Sequence, residues 1–109
     1  MDARAMRRSF LAHLWGALRV VWPILSVLLA VMAALGALVG LLEGWGLMDG
    51  VYFAFFTGLT IGYGDLVPKT PVTRALAVAI GLTGILLTGL VAAIAVQALL
   101  ATAARERKP

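Results

Sequence analysis

An all-α membrane protein, with two spanning helices and a short third helix that enters the bilayer and turns back, is the fold class this chain predicts. Three observations lead there. Of 109 residues, 62% are hydrophobic and only 13% charged. A soluble domain this small cannot hide that much apolar surface, so lipid is the expected solvent. Two uncharged runs, 20–42 and 75–104, are each long enough to cross. Between them, Val51 to Leu59 is apolar and aromatic but far too short.

The length suits one small unit rather than two domains. Without cysteine there is no disulfide framework and no thiol chemistry. The net charge of +4 sits mainly at the ends, on Arg4, Arg7, Arg8 and Arg19 and on Arg105, Arg107 and Lys108. Bases flanking apolar spans set topology, so both termini are expected in the cytoplasm and the chain in the cell membrane. No nucleic-acid partner is expected, because no folded basic surface is available to grip a duplex.

Residues 1–19 form a basic N-terminal segment, cytoplasmic or interfacial. Met6, Phe10, Leu14 and Ala17 share a helical stripe roughly opposite Arg4, Arg8 and Arg19, a weak interfacial pattern that Leu11, His13 and Trp15 break. Trp15 and Trp22 suit the inner headgroup level. His13 reads as an ordinary interfacial polar residue, with a pH-sensing role as the alternative. The outer helix is placed at 20–43. Its 23 uncharged residues reach about 35 Å, enough to span with some tilt. Pro23 falls in the expected first turn, where a missing N–H costs little. A cleaved signal peptide is the competing reading, but the run is too long for a signal core.

Glu43 to Gly50 is the outer connection, with Trp45 at the interface; Glu43, Asp49, Lys69 and Arg74 read as solvated outer-loop charges, with pairing among them as the alternative. Asp49 is the expected N-cap of a helix at 50–59. Nine apolar residues make about 13 Å of helix, less than half the hydrocarbon thickness, so this element must be re-entrant. Residues 60–65 follow it. Leu66 to Thr73 then returns to the outer surface, with Pro68 and Pro71 holding it extended. The inner helix is placed at 73–104. Its 30 uncharged residues reach about 45 Å, which requires tilt or projection beyond the bilayer. Residues 105–109 are the expected cytoplasmic tail.

Thr60-Ile61-Gly62-Tyr63-Gly64-Asp65 carries the chemistry. A bare cation in hydrocarbon faces an idealised cost of order 20 kcal/mol, so a pore must replace its water with oxygen ligands. Backbone carbonyls are hard, neutral and easily released. Aiming successive carbonyls inward needs alternating backbone handedness, and glycine adopts positive φ without a Cβ penalty. Gly62 and Gly64 are therefore the positions that allow such a strand. Thr60, Ile61, Gly62 and Tyr63 would supply oxygen rings, the Thr60 hydroxyl adding a ligand at the inner end and Gly64 forming the mouth. One strand cannot enclose an ion; four copies around an axis can. The re-entrant helix, pointing its C-terminal end at the inner vestibule, favours a cation there.

Thr57-Gly58-Leu59-Thr60-Ile61-Gly62-Tyr63-Gly64-Asp65 resembles the potassium-channel signature T-x-x-T-x-G-Y-G-D, and Pro68 fits its continuation. The specific match covers 49–68 and the hydropathy layout about 20–104. The chain thus resembles a prokaryotic-type two-transmembrane potassium channel subunit, with 50–59 as pore helix and 60–65 as selectivity filter within a pore domain at 20–104. The resemblance implies a homotetramer of identical subunits conducting K⁺ passively through the membrane, with K⁺ as permeant ion and no cofactor. It also implies filter support. Tyr63 would pack against pore-helix aromatics, with Phe53, Phe55 and Phe56 offering the cuff. Asp65 would bond behind the filter to an aromatic donor, here at Tyr52. Thr57 opens the signature. Leu59 stands where many members have a second threonine, and Phe56 where some carry a buried glutamate, so filter inactivation is expected to differ.

Gly84 lies at the family's spacing for a hinge glycine, with packing as the alternative. Ile85, Thr88, Ala92, Val96 and Leu100 fall on one stripe that the resemblance turns toward the pore, Val96 and Leu100 narrowing its inner mouth; a lipid-facing stripe is the alternative. Gln97 lies near the aqueous inner entrance, with a hydrogen bond between helices as the alternative. Gly36, Gly40 and Gly44, and Ala77, Gly81, Gly89 and Ala93, read as close-packing seams. A weakly selective cation channel and a non-conducting accessory or pore-module subunit are the competing functions. Tyr63 weighs against the first. An enzyme is not expected, because no nucleophile, acid–base or phosphate-binding grouping is present. Voltage sensing of the usual kind is not expected either, without an arginine-every-third-residue helix.

Overall fold

The computed structural model describes residues 2–107, with side chains through Arg105. Lys108 and Pro109, part of the expected tail, lie outside the described residues. Three helices make up the chain: α1, Ala3–Glu43; α2, Leu47–Gly58; and α3, Pro71–Arg107. Among the described residues there is no strand. α1 and α3 are both long and apolar enough to cross a membrane, and α2 is not. The all-helical, two-span fold class is what the structure has.

Several boundaries differ from expectation, each for a local reason. α1 runs unbroken from Ala3 through position 20, started by Asp2, whose Oδ1 accepts the Ala5 N–H at 2.7 Å. Pro23 therefore lies well inside the helix rather than in a first turn. α1 ends in a Schellman motif: Gly44 takes φ 76°, Trp45 N–H reaches the Gly40 carbonyl at 2.8 Å, and Gly44 N–H reaches that of Leu41 at 3.4 Å. α2 begins at Leu47, so Asp49 is not its cap. Gly46, at φ 94°, precedes the helix without a side-chain cap, and Asp49 sits in the first turn, where its charge suits the dipole. α3 begins at Pro71, two residues before the expected start at Thr73. Thr70 caps it, accepting the Thr73 N–H at 3.1 Å, and Pro71 takes the first helical position, where its missing N–H is no loss.

Contacts divide the chain into two compact units. One comprises Leu25–Thr88, which holds α2, the segment after it and the adjoining parts of α1 and α3. Its core is Val39, Phe53, Ala54, Phe56 and Ile80, all buried. The packing is set by glycines. A Cβ on Gly36 or Gly40 of α1 would collide with Gly50 of α2, and one on Gly36 also with Ala54. The expected seam on α1 is therefore real at Gly36 and Gly40, and α2 is what it packs against. Gly44 belongs to the turn instead. Gly81 and Gly89, placed in the second seam, have nothing within 4 Å of an added Cβ. The other unit comprises Met1–Ile24 and Gly89–Pro109. Within it Ser9, Ile94, Ala98 and Thr102 are buried, and His13 Nδ1 donates to the Ser9 carbonyl at 2.7 Å.

Candidate ion pathway

α2 ends by folding the chain back over its own carbonyls. Leu59 N–H reaches the Phe55 carbonyl at 2.9 Å and Thr60 N–H that of Thr57 at 3.1 Å. Ile61 and Gly62 both donate to Phe56, at 2.8 and 3.3 Å. These bonds satisfy helix-end acceptors that would otherwise be orphaned, and they fix where the next residues start. Thr57 takes part through its backbone carbonyl.

From there the backbone alternates. Thr60, Gly62 and Gly64 have φ 63°, 61° and 81°, while Ile61 and Tyr63 between them stay negative. Residues of alternating hand turn successive carbonyls toward one side, the geometry a column of oxygen ligands needs. At Gly62 and Gly64 the requirement is conformational alone: an added Cβ meets nothing within 4 Å at either position. Thr60 shares the left-handed conformation, which the sequence reading did not foresee. A β-branched residue there carries strain of about 1–3 kcal/mol, which persists only where surrounding structure imposes it. Its hydroxyl donates to the Leu59 carbonyl at 2.6 Å, which leaves the oxygen lone pairs as acceptors. Residues 60–65 are all exposed, so one chain supplies a strand and no enclosure.

Behind the strand runs a row of rings. Tyr63 packs on Phe56 with centroids 5.8 Å apart. Phe56 packs on Tyr52 at 4.7 Å and on Phe53 at 5.6 Å, and Phe53 on Trp45 at 5.2 Å. Within one chain the rings form a continuous row of Trp45, Phe53, Phe56, Tyr52 and Tyr63. Phe55, the third aromatic of the expected cuff, makes none of these contacts within the chain, since helical spacing puts it on another face than Phe53 and Phe56. Tyr52 and Asp65 interact electrostatically, and Asp65 Oδ1 accepts the Leu66 N–H at 3.2 Å.

Glu43 is not merely a solvated outer charge. Its Oε1 accepts the Lys69 N–H at 2.9 Å and the Thr73 hydroxyl at 2.5 Å. Thr73 is fully buried and lies 2.7 Å from the Thr70 hydroxyl. One carboxylate therefore ties the end of α1 to the strand's return segment and to the start of α3. The readable sign of the α3 start was Thr70-Pro71, an N-cap residue before a first-turn proline. Its partner Glu43, 30 residues away from Thr73, left no local pattern.

Gly84 is buried against the end of α2, and a Cβ there would collide with the Gly58 backbone. This gives the glycine a packing requirement. Ile85, Thr88, Ala92, Val96 and Leu100 are each exposed, as is Gln97.

Comparison with known proteins agrees with this geometry. The sequence profile of the ion channel family matches residues 23–101. A two-pore potassium channel 1 from Arabidopsis thaliana is 46% identical over 44 residues, 40% of this chain and 12% of that protein. A voltage-gated potassium channel from Aeropyrum pernix is 46% identical over 37 residues, 34% of this chain and 12% of that protein. The matched stretch is thus a small fraction of either relative's length. No solved structure matches the chain.

Proposed function

This chain belongs to the ion channel family, and from that premise we propose that four copies form a K⁺-selective pore in the cell membrane. The observation that supports the reading is the alternation of backbone hand at Thr60, Gly62 and Gly64, which would let the carbonyls of residues 60–63 face the axis of such an assembly. Two successive rings of four oxygens replace the water of one dehydrated K⁺, and Gly64 forms the outer mouth. Tyr63, held by Phe56, sets the ring diameter, and Asp65 with Tyr52 holds the outer end from behind. Selectivity follows from ring size or from ligand number and field strength. The two relatives named as potassium channels support K⁺ as the ion.

Both termini face the cytoplasm, following the arginines at each end. Ile85, Thr88 and Ala92 line a water-filled vestibule below the filter, and Val96 and Leu100 close it by dewetting. Gly84 serves as both packing point and pivot for α3. K⁺ is the ion the pore carries, and the reading calls for no cofactor.

The test is the mass and flux of the purified chain. In mild detergent the assembly has four times the chain mass and is more heat-stable in K⁺ than in Na⁺. In vesicles it releases K⁺, and Ba²⁺ blocks the release. A stable monomer without flux would overturn the proposal in favour of an accessory subunit.

A further inference from the structure

α1 and α2 meet along a row that advances one turn at a time on both helices. Gly40 and Gly36 of α1 lie against Gly50 of α2, and Gly36 also against Ala54. The next step of the row is Met32 on α1 and Gly58 on α2, where small against small gives way to large against small. Met32 is fully buried and is among the largest side chains that are so. Its methyl lies against Gly58: an added Cβ there would collide with Met32 Cε and stand 3.5 Å from Sδ. On its other side Gly58 meets Gly84 of α3 backbone to backbone, since a Cβ on Gly84 would collide with the Gly58 Cα, carbonyl carbon and carbonyl oxygen. These residues all belong to the Leu25–Thr88 unit.

Gly58 is therefore held between a side chain of α1 and the main chain of α3. The main chain cannot yield without moving α3. The side chain is what decides the spacing, and methionine is unbranched and adapts to an irregular gap. Gly58 is also the last residue of α2. The carbonyls just before it hold the strand: that of Thr57 accepts the Thr60 N–H, and that of Phe56 accepts those of Ile61 and Gly62. Where the end of α2 rests thus decides where Thr60, Ile61 and Gly62 stand.

We propose that Met32 is a positioning residue for the ion pathway, a wedge that presses the end of α2 against Gly84 and so sets the diameter of the inner oxygen rings. The inference rests on the channel reading above and concerns which ions that pore passes. Gly36 and Gly40 let α1 and α2 touch, and Met32 spreads them by one side chain beside the start of the strand. With that side chain shortened, the end of α2 settles toward α1 and away from α3, because a dry cavity closes as far as its surroundings allow. The rings at Thr60 and Ile61 then widen. A wider ring holds K⁺ less closely and admits Cs⁺, the larger ion, more readily.

The test is the Cs⁺/K⁺ permeability ratio of the full chain in a planar bilayer, read as the reversal potential with K⁺ on one side and Cs⁺ on the other. Ligands displaced by about 1 Å can change such a site by roughly 100-fold, so a partial settling in Met32→Ala should raise the ratio about tenfold, a shift of about 59 mV. Met32→Leu, close in volume, should stay within about twofold of the unaltered chain. Leu25 is buried on the same helix, about 10 Å along the axis from Met32. Leu25→Ala should lower the melting temperature of the assembly and leave the ratio alone, which separates positioning from plain loss of stability. Gly58→Ala puts a methyl where that of Met32 stands, so the Met32→Ala, Gly58→Ala double variant should recover most of the unaltered ratio. If Met32→Ala does not assemble, Met32→Val, which removes less, carries the same test with a smaller rise. An unchanged ratio in an intact position-32 variant, an equal change from Leu25→Ala, or no recovery in the double variant each overturns the inference. An unaltered chain that does not select K⁺ refutes the channel proposal; a selective chain whose ratio ignores position 32 refutes this inference alone.

Discussion

Gly62→Ala should abolish K⁺ conduction while leaving the fold intact. Gly62 has φ 61°, and an added methyl meets nothing within 4 Å. The perturbation is therefore backbone strain without a clash. An L-residue in the left-handed region costs about 1–2 kcal/mol, or roughly 4–8 kcal/mol over the four copies of the proposed assembly. At about 1.4 kcal/mol per tenfold, the arrangement with every carbonyl inward falls by roughly three to six orders of magnitude relative to glycine. The assay is K⁺ efflux from vesicles, with assembly mass checked in parallel. D-alanine introduced at the same position by semisynthesis has the same methyl but prefers positive φ, so it should retain flux. Flux like that of the unaltered chain from the L-alanine variant would refute the reasoning. So would loss of flux from the D-alanine variant in an intact assembly, because the methyl and not the handedness would then be at fault.

Other substitutions separate packing from strain. Gly84→Ala drives a methyl into the Gly58 backbone; overpacking of about 1–3 kcal/mol per chain should lower the melting temperature of the assembly, whereas Gly81→Ala, with open space, should leave it within error. Phe56→Ala removes the ring that Tyr63, Tyr52 and Phe53 all touch; a loss of about 3–5 kcal/mol is expected in chemical denaturation, with weaker discrimination against Na⁺ in any surviving assembly. Glu43→Ala removes the acceptor of the Lys69 N–H and takes the charged acceptor from buried Thr73; amide hydrogen exchange at Lys69 should become faster. Unchanged exchange there would mean that the brace is idle.

What was legible in the sequence was what local chemistry writes down. Composition and the lengths of the uncharged runs specify two spans, and a nine-residue apolar stretch cannot make a third. Gly62 and Gly64 announce their backbone because few other residues tolerate it. Thr60 does not, since a β-branched residue normally signals negative φ; its conformation follows from its neighbours' bonds to the carbonyls of α2. The Gly36 and Gly40 row was visible as a seam, but its mate on α2, Gly50 and Ala54, was not. Spacing along one helix says which residues share a face and nothing about what meets it. The Glu43 brace joins residues 26 and 30 positions apart, so only the fold shows it. Asp49 misled because a good capping residue sat just past a glycine that the chain used instead.

The central claim is that carbonyls at positions 60–63 strip and select K⁺. Reversal potential across a bilayer holding the purified chain tests it most directly, with a tenfold K⁺ gradient opposed by an equal Na⁺ gradient. The account predicts a reversal potential at the K⁺ equilibrium value, about 59 mV in magnitude for a univalent ion. A reversal near zero, with both cations passing alike, would contradict it.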